Sequence, residues 1–239
     1  NPGPLLRDMH QRVLHQDPAL DRTSPTRRSP ATDHSIVGRT VERERLAAAQ
    51  RRVAQDGLAI SVVRGEPGIG KTALVNAFIA ELPTSVTSAV GRAERTASIP
   101  LRGVLSAVEP WIGDAGGPAG VGAELALKSS AEQEARHDSM ALNRHEVLSR
   151  IADLVVSLAE DGPMTLVIDD AHWVDHMTVA FLDHLITEHP KAPVHVVLTA
   201  RETPFEGSML DGLLSDASLT TAVSHLQLGP LTADEIGRI

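Results

Sequence analysis

The stretch GEPGIGKT, from Gly65 to Thr72, decides the fold of this chain. It follows an apolar run, LAISVVRG (58–65), and precedes a segment with apolar residues at helical spacing, so it joins a strand to a helix. Its spaced glycines, followed by Lys and Thr, match the pattern G-x-x-x-x-G-K-[ST] of a loop that binds phosphate groups. The strand and helix on either side are the context in which that pattern is informative.

Each residue type in this loop has a chemical reason. Glycines let the backbone curl so that successive N–H groups point at phosphate oxygens. We expect Lys71 to place a positive charge on the β- and γ-phosphates and Thr72 to offer its hydroxyl to Mg²⁺, beside the positive end of the helix dipole. The predicted nucleotide-contacting residues of the loop are Glu66, Pro67, Gly68, Ile69, Gly70, Lys71, Thr72 and Ala73.

Two adjacent carboxylates end another apolar segment, MTLVIDD (164–170). Asp169 and Asp170 are costly to desolvate at the end of a buried strand unless a cation lies nearby. We therefore expect Asp169 to bind Mg²⁺, directly or through water. We expect Asp170 to orient or deprotonate the attacking water.

A further apolar segment, VHVVLTAR (194–201), ends with Thr199 and Arg201. Ligands of open α/β sheets bind at the carboxyl ends of the strands. A polar residue there can sense the γ-phosphate, and an arginine can neutralise charge that develops during the reaction. We predict Arg201 as a catalytic residue beside Asp170 and Lys71; the alternative is a solvated loop arginine.

Strand-like and helix-like segments alternate along the chain. The predicted strands are 58–65, 85–92, 164–170, 194–201 and 222–231. The predicted helices cover 41–55, a segment with Leu74, Phe78 and Leu82 on one face, and a segment with Leu148, Ile151, Val155 and Leu158 on one face. This alternation predicts an α/β fold in which a five-stranded parallel sheet carries helices on both faces.

Composition excludes several classes of function. The formal net charge of −9 is opposite in sign to a surface that binds DNA or RNA. The absence of cysteine excludes disulfides and thiolate chemistry and permits a cytoplasmic location, which we expect. No apolar run reaches the roughly 20 residues of a membrane helix, so we expect no membrane association.

The pair His172 and His176 is not a predicted metal site. The spacing of four residues suits a zinc site, but the Glu that would follow the first histidine and a third ligand are both missing. We expect these histidines to flank the nucleotide site or to face solvent.

Outside this body, predicted to span 36–228, the chain has two different segments. Residues 1–20 show helical spacing of apolar residues, and residues 21–35 have the composition of a linker. The segment 229–239 starts another helical region. The first residue is not Met and the last residues stop inside a helical pattern, so we expect a piece of a longer protein.

Several stretches together resemble the ATPase module of the STAND class of signalling P-loop NTPases, which have an ASCE-type sheet. They are IVGRTVERERL (36–46), the phosphate-binding loop, LVIDDAHWVDHMTVAFLDHL (166–185) and VVLTAR (196–201). The stretch DDAHWVD is especially similar to the large ATP-binding LuxR-type and MalT-like bacterial regulators. The resemblance implies ATP or ADP with Mg²⁺ as ligands. It further implies that Val37, Gly38 and Arg39 border the adenine, that Arg201 is the sensor arginine, and that a winged-helix lid begins at 229–239.

Residues 1–20, NPGPLLRDMHQRVLHQDPAL, are similar to the final helix of the TPR-like bacterial transcriptional activator domain of SARP regulators. This resemblance implies that the ATPase is a switch domain of an activator of antibiotic gene clusters. Its partners would be the other domains of the same regulator and a second copy of itself. DNA and RNA polymerase would be contacted only through a region that precedes residue 1.

Three other interpretations are compatible with the residues. The chain could hold nucleotide without hydrolysing it, as an interaction module. It could transfer phosphate to a small molecule, although the acidic pair favours water as the acceptor. Without the link to SARP regulators, the same ATPase could regulate a cyclase or a kinase.

Overall fold

The computed structural model describes residues 38–95, 100–111, 137–202, 209–216 and 223–231, with side chains from residue 144 in the third range. Some predictions lie outside these residues. They concern the helix of 1–20, the linker of 21–35, Val37, and the region that begins at 229–239 beyond residue 231.

Within the described residues, five parallel strands form one sheet, as predicted. They are β1 (Ala59–Gly65), β2 (Thr87–Arg92), β3 (Met164–Asp169), β4 (Val194–Arg201) and β5 (Val223–Gln227). Their order across the sheet is β2-β3-β4-β1-β5. One strand, β4, therefore separates the strand that leads into the phosphate-binding loop from the strand that carries the acidic pair.

Helices lie between the strands and cover both faces of the sheet. They are α1 (Thr40–Asp56), α2 (Lys71–Glu81), α3 (Arg102–Val108), α4 (His137–Ser157), α5 (His176–Glu188) and α6 (Met209–Ser215). Two short 3-10 turns follow α3 and β3, at Glu109–Trp111 and Ala171–Trp173. Within the part of the chain that the structure describes, none of the helices has the length and apolarity needed to cross a bilayer.

The sheet separates two apolar cores, because successive side chains of a strand point to opposite faces. On β3, Leu166 and Ile168 join the core formed with α3, α4 and α5, whereas Val167 joins the core formed with α1 and α2. Both faces of the central strands are buried, which is why their sequences are almost continuously apolar. This packing holds the carboxyl ends of the strands in fixed positions.

Several predicted element ends were wrong by a few residues. Strand β3 ends at Asp169 because Asp170 has a φ of 55°, in the left-handed region. Leu82 ends α2 with extended backbone, since Pro83 follows it. Leu158 lies just after α4. Strand β5 ends at Gln227, shortly before a Gly-Pro pair that does not favour a strand.

We expect Gly91→Ala to destabilise the fold and Gly212→Ala to stabilise it. Gly91 lies in β2 against the start of α3, where an added Cβ would lie 1.8 Å from the carbonyl oxygen of Gly103. Moving the helix to make room costs about 1–3 kcal/mol. Gly212 lies inside α6 with open space around its Cβ position, and Ala favours a helix there by about 0.5–1 kcal/mol. Urea unfolding of both variants measures the difference, and equal midpoints would contradict this packing.

Candidate nucleotide site

The phosphate-binding loop connects β1 to α2, and its glycines are required for two different structural reasons. Gly68 and Gly70 have φ values of 80° and 100°, a region that only glycine enters without strain. An added Cβ at either would meet no atom within 4 Å, so conformation rather than space requires glycine there. At Gly65 the reason is space, because a Cβ would lie 2.8 Å from Ile69 Cγ2 and 3.0 Å from the Leu228 carbonyl oxygen.

Lys71 begins α2 and points back into the loop. Its Nζ donates hydrogen bonds to the carbonyl oxygens of Gly65 (2.9 Å) and Glu66 (2.8 Å). The residue is 9% exposed. Burial lowers the pKa of Lys71, while the charges of Asp170 and Asp169 act in the opposite direction. The loop therefore holds an ammonium group at its centre, where a phosphate would need it.

Thr72, Asp169 and Thr199 come together from three separate elements. Thr72 Oγ1 lies 3.1 Å from both carboxylate oxygens of Asp169. Thr199 Oγ1 donates to Asp169 Oδ1 at 2.5 Å. A hydroxyl and a carboxylate are the oxygen ligands that Mg²⁺ prefers, and Mg²⁺ usually takes its other ligands from phosphates and water. The residues that were predicted to hold Mg²⁺ thus fit that ion chemically.

Asp170 lies beside this group and is held by both its backbone and its side chain. Its N–H donates to Thr199 Oγ1 at 2.9 Å. Its Oδ2 accepts two hydrogen bonds from Arg92, from Nε at 3.0 Å and from Nη2 at 2.6 Å. The hydrogen bond to Asp170 raises the pKa of Arg92, whose side chain is 70% exposed. The carboxylate that we predict to be the base is therefore ion-paired in this structure.

Arg201, His172 and Trp173 lie around the acidic pair. Arg201 is exposed at the end of β4, with its Cζ 5.6 Å from the centre of the Trp173 ring. His172 Nδ1 lies 4.0 Å from Asp170 Oδ1. Burial lowers the pKa of His172, and its ring nitrogens have no hydrogen-bond partner among the described residues. His176, at the start of α5, is exposed.

Arg39 connects distant parts of the chain at the other side of the loop. It is 5% exposed and has a left-handed backbone, as has Gly38. Its Nη2 donates to the carbonyl oxygen of Gly229 (2.5 Å) and lies 3.5 Å from that of Ile69. The guanidinium thus ties the residues after β5 to the phosphate-binding loop. That Val37, Gly38 and Arg39 border an adenine stays a prediction.

The last acidic residue of DDAHWVD, Asp175, has a structural role. Its Oδ1 accepts a hydrogen bond from the N–H of Thr178 at 2.8 Å and so caps the start of α5. Its Oδ2 accepts from the N–H of Leu101 at 3.0 Å, immediately before α3. One carboxylate therefore joins the starts of two helices that flank the site.

A family model described as the AAA ATPase domain matches residues 35–198, which is more than half of the chain. The chain belongs to this family. No curated protein matches it significantly. The match of the AAA ATPase domain includes the phosphate-binding loop and the acidic pair and ends within β4.

Solved structures that resemble this AAA ATPase domain include two from Aeropyrum pernix. The ORC1 protein in complex with DNA has a TM-score of 0.55 and 17% identity over 91% of this chain and 52% of that chain. The ORC2 protein, in ADPNP-ADP complexes, has a TM-score of 0.52 and 14% identity over 86% of this chain and 52% of that chain. This chain therefore spans about half the length of either protein. These likenesses show the fold.

A third similar structure is the Signal Transduction ATPase with Numerous Domains (STAND) protein with a tetratricopeptide repeat sensor from Pyrococcus horikoshii. It has a TM-score of 0.41 and 16% identity, over 87% of this chain and 25% of that chain.

Sequence reasoning missed Arg92 as a residue of the site. In the sheet, Arg92 of β2 is paired in register with Asp169 of β3. Placing the two strands side by side from the sequence would have brought the arginine to the acidic pair. The sequence pattern predicts the strands but not their order in the sheet, so nothing in it indicated that Arg92 lies beside the acidic pair.

Proposed function

We propose that this AAA ATPase domain binds ATP and hydrolyses it slowly, as a switch in a larger regulator. The observation that carries the proposal is the contact of Thr72 with Asp169. These residues are 97 positions apart in the chain, yet their oxygens lie 3.1 Å apart beside the glycine-rich loop. Hydrogen-bond donors for phosphate and oxygen ligands for a divalent cation thus lie at one edge of the sheet.

Binding would require Lys71 to change partners. In this structure its ammonium is held by two carbonyl oxygens of its own loop. Phosphate oxygens carry more negative charge than carbonyl oxygens, so the lysine would form stronger, charge-assisted hydrogen bonds with them. Thr72 and Asp169 would hold Mg²⁺, which supplies positive charge against the phosphates when bound.

Hydrolysis would depend on Asp170 as the group that orients or deprotonates water, with Arg201 against the developing negative charge. Asp170 Oδ2 already accepts two hydrogen bonds from Arg92. A carboxylate oxygen occupied in this way has fewer lone pairs free for water. We attribute a slow rate to this ion pair.

A switch needs two states that differ in contacts, because a nucleotide shifts a conformational equilibrium only by its difference in affinity for the two states. We propose that ATP and ADP differ in their contacts with Asp170, Arg201 and the segment after β5, and so alter the neighbouring domains or a second copy of the chain. The resemblance of residues 1–20 supports a cytoplasmic SARP-type transcriptional activator as the parent. DNA and RNA polymerase would be reached through that parent's other domains.

One observation favours a second candidate function, a domain that holds nucleotide without hydrolysing it. The ion pair between Arg92 and Asp170 leaves the proposed base engaged. A domain of this kind would retain bound nucleotide through purification and release no phosphate. The rate of phosphate release by the unmodified chain separates the two functions.

We expect Asp170→Asn to leave ATP affinity little changed and to lower the rate of phosphate release about 100-fold, since an amide has no basic lone pair for water. Calorimetric titration with ATP and Mg²⁺ measures the affinity, and a phosphate-release assay at saturating ATP measures kcat. Asp183→Asn, an exposed carboxylate on α5, is the matched control. Phosphate release at the unmodified rate by Asp170→Asn would move the base to another residue.

A further inference from the structure

Two guanidinium groups lie over the ring of Trp173 at the carboxyl edge of the sheet. The Cζ atoms of Arg95 and Arg201 are each 5.6 Å from the centre of its ring. Arg95 lies shortly after β2, Trp173 lies shortly after β3, and Arg201 ends β4. The three residues therefore lie at the carboxyl ends of three adjacent strands. A cation within about 6 Å of an indole centre is attracted by the negative face of the ring.

The indole is itself held in place. Trp173 is half-buried and packs against the core that contains α3, α4 and α5. The ring of His172 lies 4.8 Å from it, centre to centre. The 3-10 turn that carries both rings is closed by a hydrogen bond from the N–H of Trp173 to the carbonyl oxygen of Asp170, at 2.9 Å. The ring therefore has a fixed position relative to the acidic pair.

Arg201 is the arginine whose charge acts on the phosphate-binding loop. Its charge contributes to lowering the pKa values of both Lys71 and His172. It also ends β4, the strand next to β1, which leads into the loop. Arg95 contacts the same indole ring but follows β2, two strands further from β1.

Contact with the indole leaves an arginine able to bind phosphate. The face of the planar guanidinium is attracted to the ring, while its N–H groups point outward in the plane and can donate to an anion. An exposed arginine that lacks such a neighbour must lose considerable side-chain entropy to reach one geometry. A fixed ring beside Arg201 reduces that loss before nucleotide arrives.

We infer that Trp173 is a positioning residue for Arg201, whose guanidinium it holds at the end of β4 in reach of the γ-phosphate. Trp173 thereby sets how strongly the site prefers ATP to ADP. The inference rests on the proposed function, in which Arg201 contacts the terminal phosphate. It assigns the aromatic residue of DDAHWVD a task other than core packing.

The test is a double-mutant cycle of Trp173→Leu and Arg201→Ala in the full chain, with ATP and ADP affinities measured by calorimetry in Mg²⁺. Loss of an exposed cation–π contact corresponds to about a threefold effect. We expect Trp173→Leu to lower the ratio of ATP to ADP affinity about threefold with ADP affinity unchanged. Trp173→Phe should restore most of the ratio. In the Arg201→Ala background, Trp173→Leu should have no further effect.

Two further measurements separate positioning from packing. Arg95→Ala, which removes the other cation from the same ring, should leave the ratio unchanged. With Trp111→Phe as background, Trp173 is the chain's single tryptophan, and its emission should change more with ATP than with ADP and should lose this difference in Arg201→Ala.

Equal losses of ATP and ADP affinity in Trp173→Leu, or an undiminished effect in the Arg201→Ala background, would show a packing role and overturn the inference. An unchanged ratio in Trp173→Leu would overturn it as well, while the proposed function would stand. If the unmodified chain binds neither nucleotide, the proposed function fails, and the inference fails with it.

Discussion

Lys71→Ala is expected to abolish the binding of ATP and ADP by this AAA ATPase domain. The Lys71 ammonium is the group at the centre of the loop, 9% exposed and already desolvated by its surroundings. Each hydrogen bond to a charged group contributes about 1.5–3 kcal/mol. Losing two such bonds to phosphate oxygens lowers the affinity on the order of 100-fold or more.

The fold should survive this change. The two carbonyl oxygens that accept from Lys71 belong to Gly65 and Glu66. Glu66 is exposed, so water can replace the lysine there. Lys191→Ala, an exposed lysine after α5, is the matched control and should bind ATP like the unmodified chain. Calorimetric titration of both variants, with circular dichroism as a check of folding, makes the comparison. Full ATP affinity in Lys71→Ala would refute the assignment of the site.

Residues whose roles follow from a local sequence pattern could be predicted from the sequence. The conformation of the loop from Gly65 to Thr72 can be predicted, because the glycine spacing and the flanking strand and helix are local features of the sequence. The same holds for the all-parallel sheet, since apolar strands alternating with helices require it. The structure confirms the sheet and brings Thr72 to Asp169. That these two residues hold Mg²⁺ stays a prediction.

Residues whose contacts depend on the order of the strands in the sheet could not be predicted in the same way. Arg92 reaches Asp170 because β2 lies next to β3, and Arg39 reaches Gly229 across 190 positions. Asp170, which has a left-handed backbone, likewise donates its N–H to Thr199 on the neighbouring strand β4. Each of these contacts depends on which strands are neighbours, and hydrophobic periodicity carries no information on that order.

A polar network inside the sheet was also missed, and it predicts sensitivity to acid. His195 of β4 is fully buried, with its Nε2 2.8 Å from Ser61 Oγ and its Nδ1 3.2 Å from Gln50 Oε1. The side chain of Gln50 also accepts from Thr165. The ring of Phe78 in α2 packs edge-on against the imidazole, with 5.9 Å between the two ring centres. None of these neighbours carries a charge, so none of them stabilises an imidazolium ion.

We expect the domain to lose stability steeply as the pH falls below about 6.5. Burial lowers the pKa of His195 from its ordinary value of 6.5 to about 3. Between these values the unfolded chain binds a proton at this residue and the folded chain does not, so acid favours unfolding. The cost is about 1.4 kcal/mol per pH unit, or about 2 kcal/mol between pH 6.5 and pH 5. Well above pH 6.5 this contribution is constant, because the ring is neutral in both states.

The measurement is the free energy of unfolding in urea at several pH values between 7 and 5, compared with His195→Gln. Glutamine offers a donor and an acceptor but does not titrate, so its pH dependence should be shallower by about 2 kcal/mol over this range whatever its absolute stability. His176→Gln, at an exposed position, should keep the steep dependence of the unmodified chain. Parallel curves for the unmodified chain and His195→Gln would show that the buried ring takes up a proton in the folded state. The network around Gln50 and Ser61 would then have to accommodate an imidazolium ion.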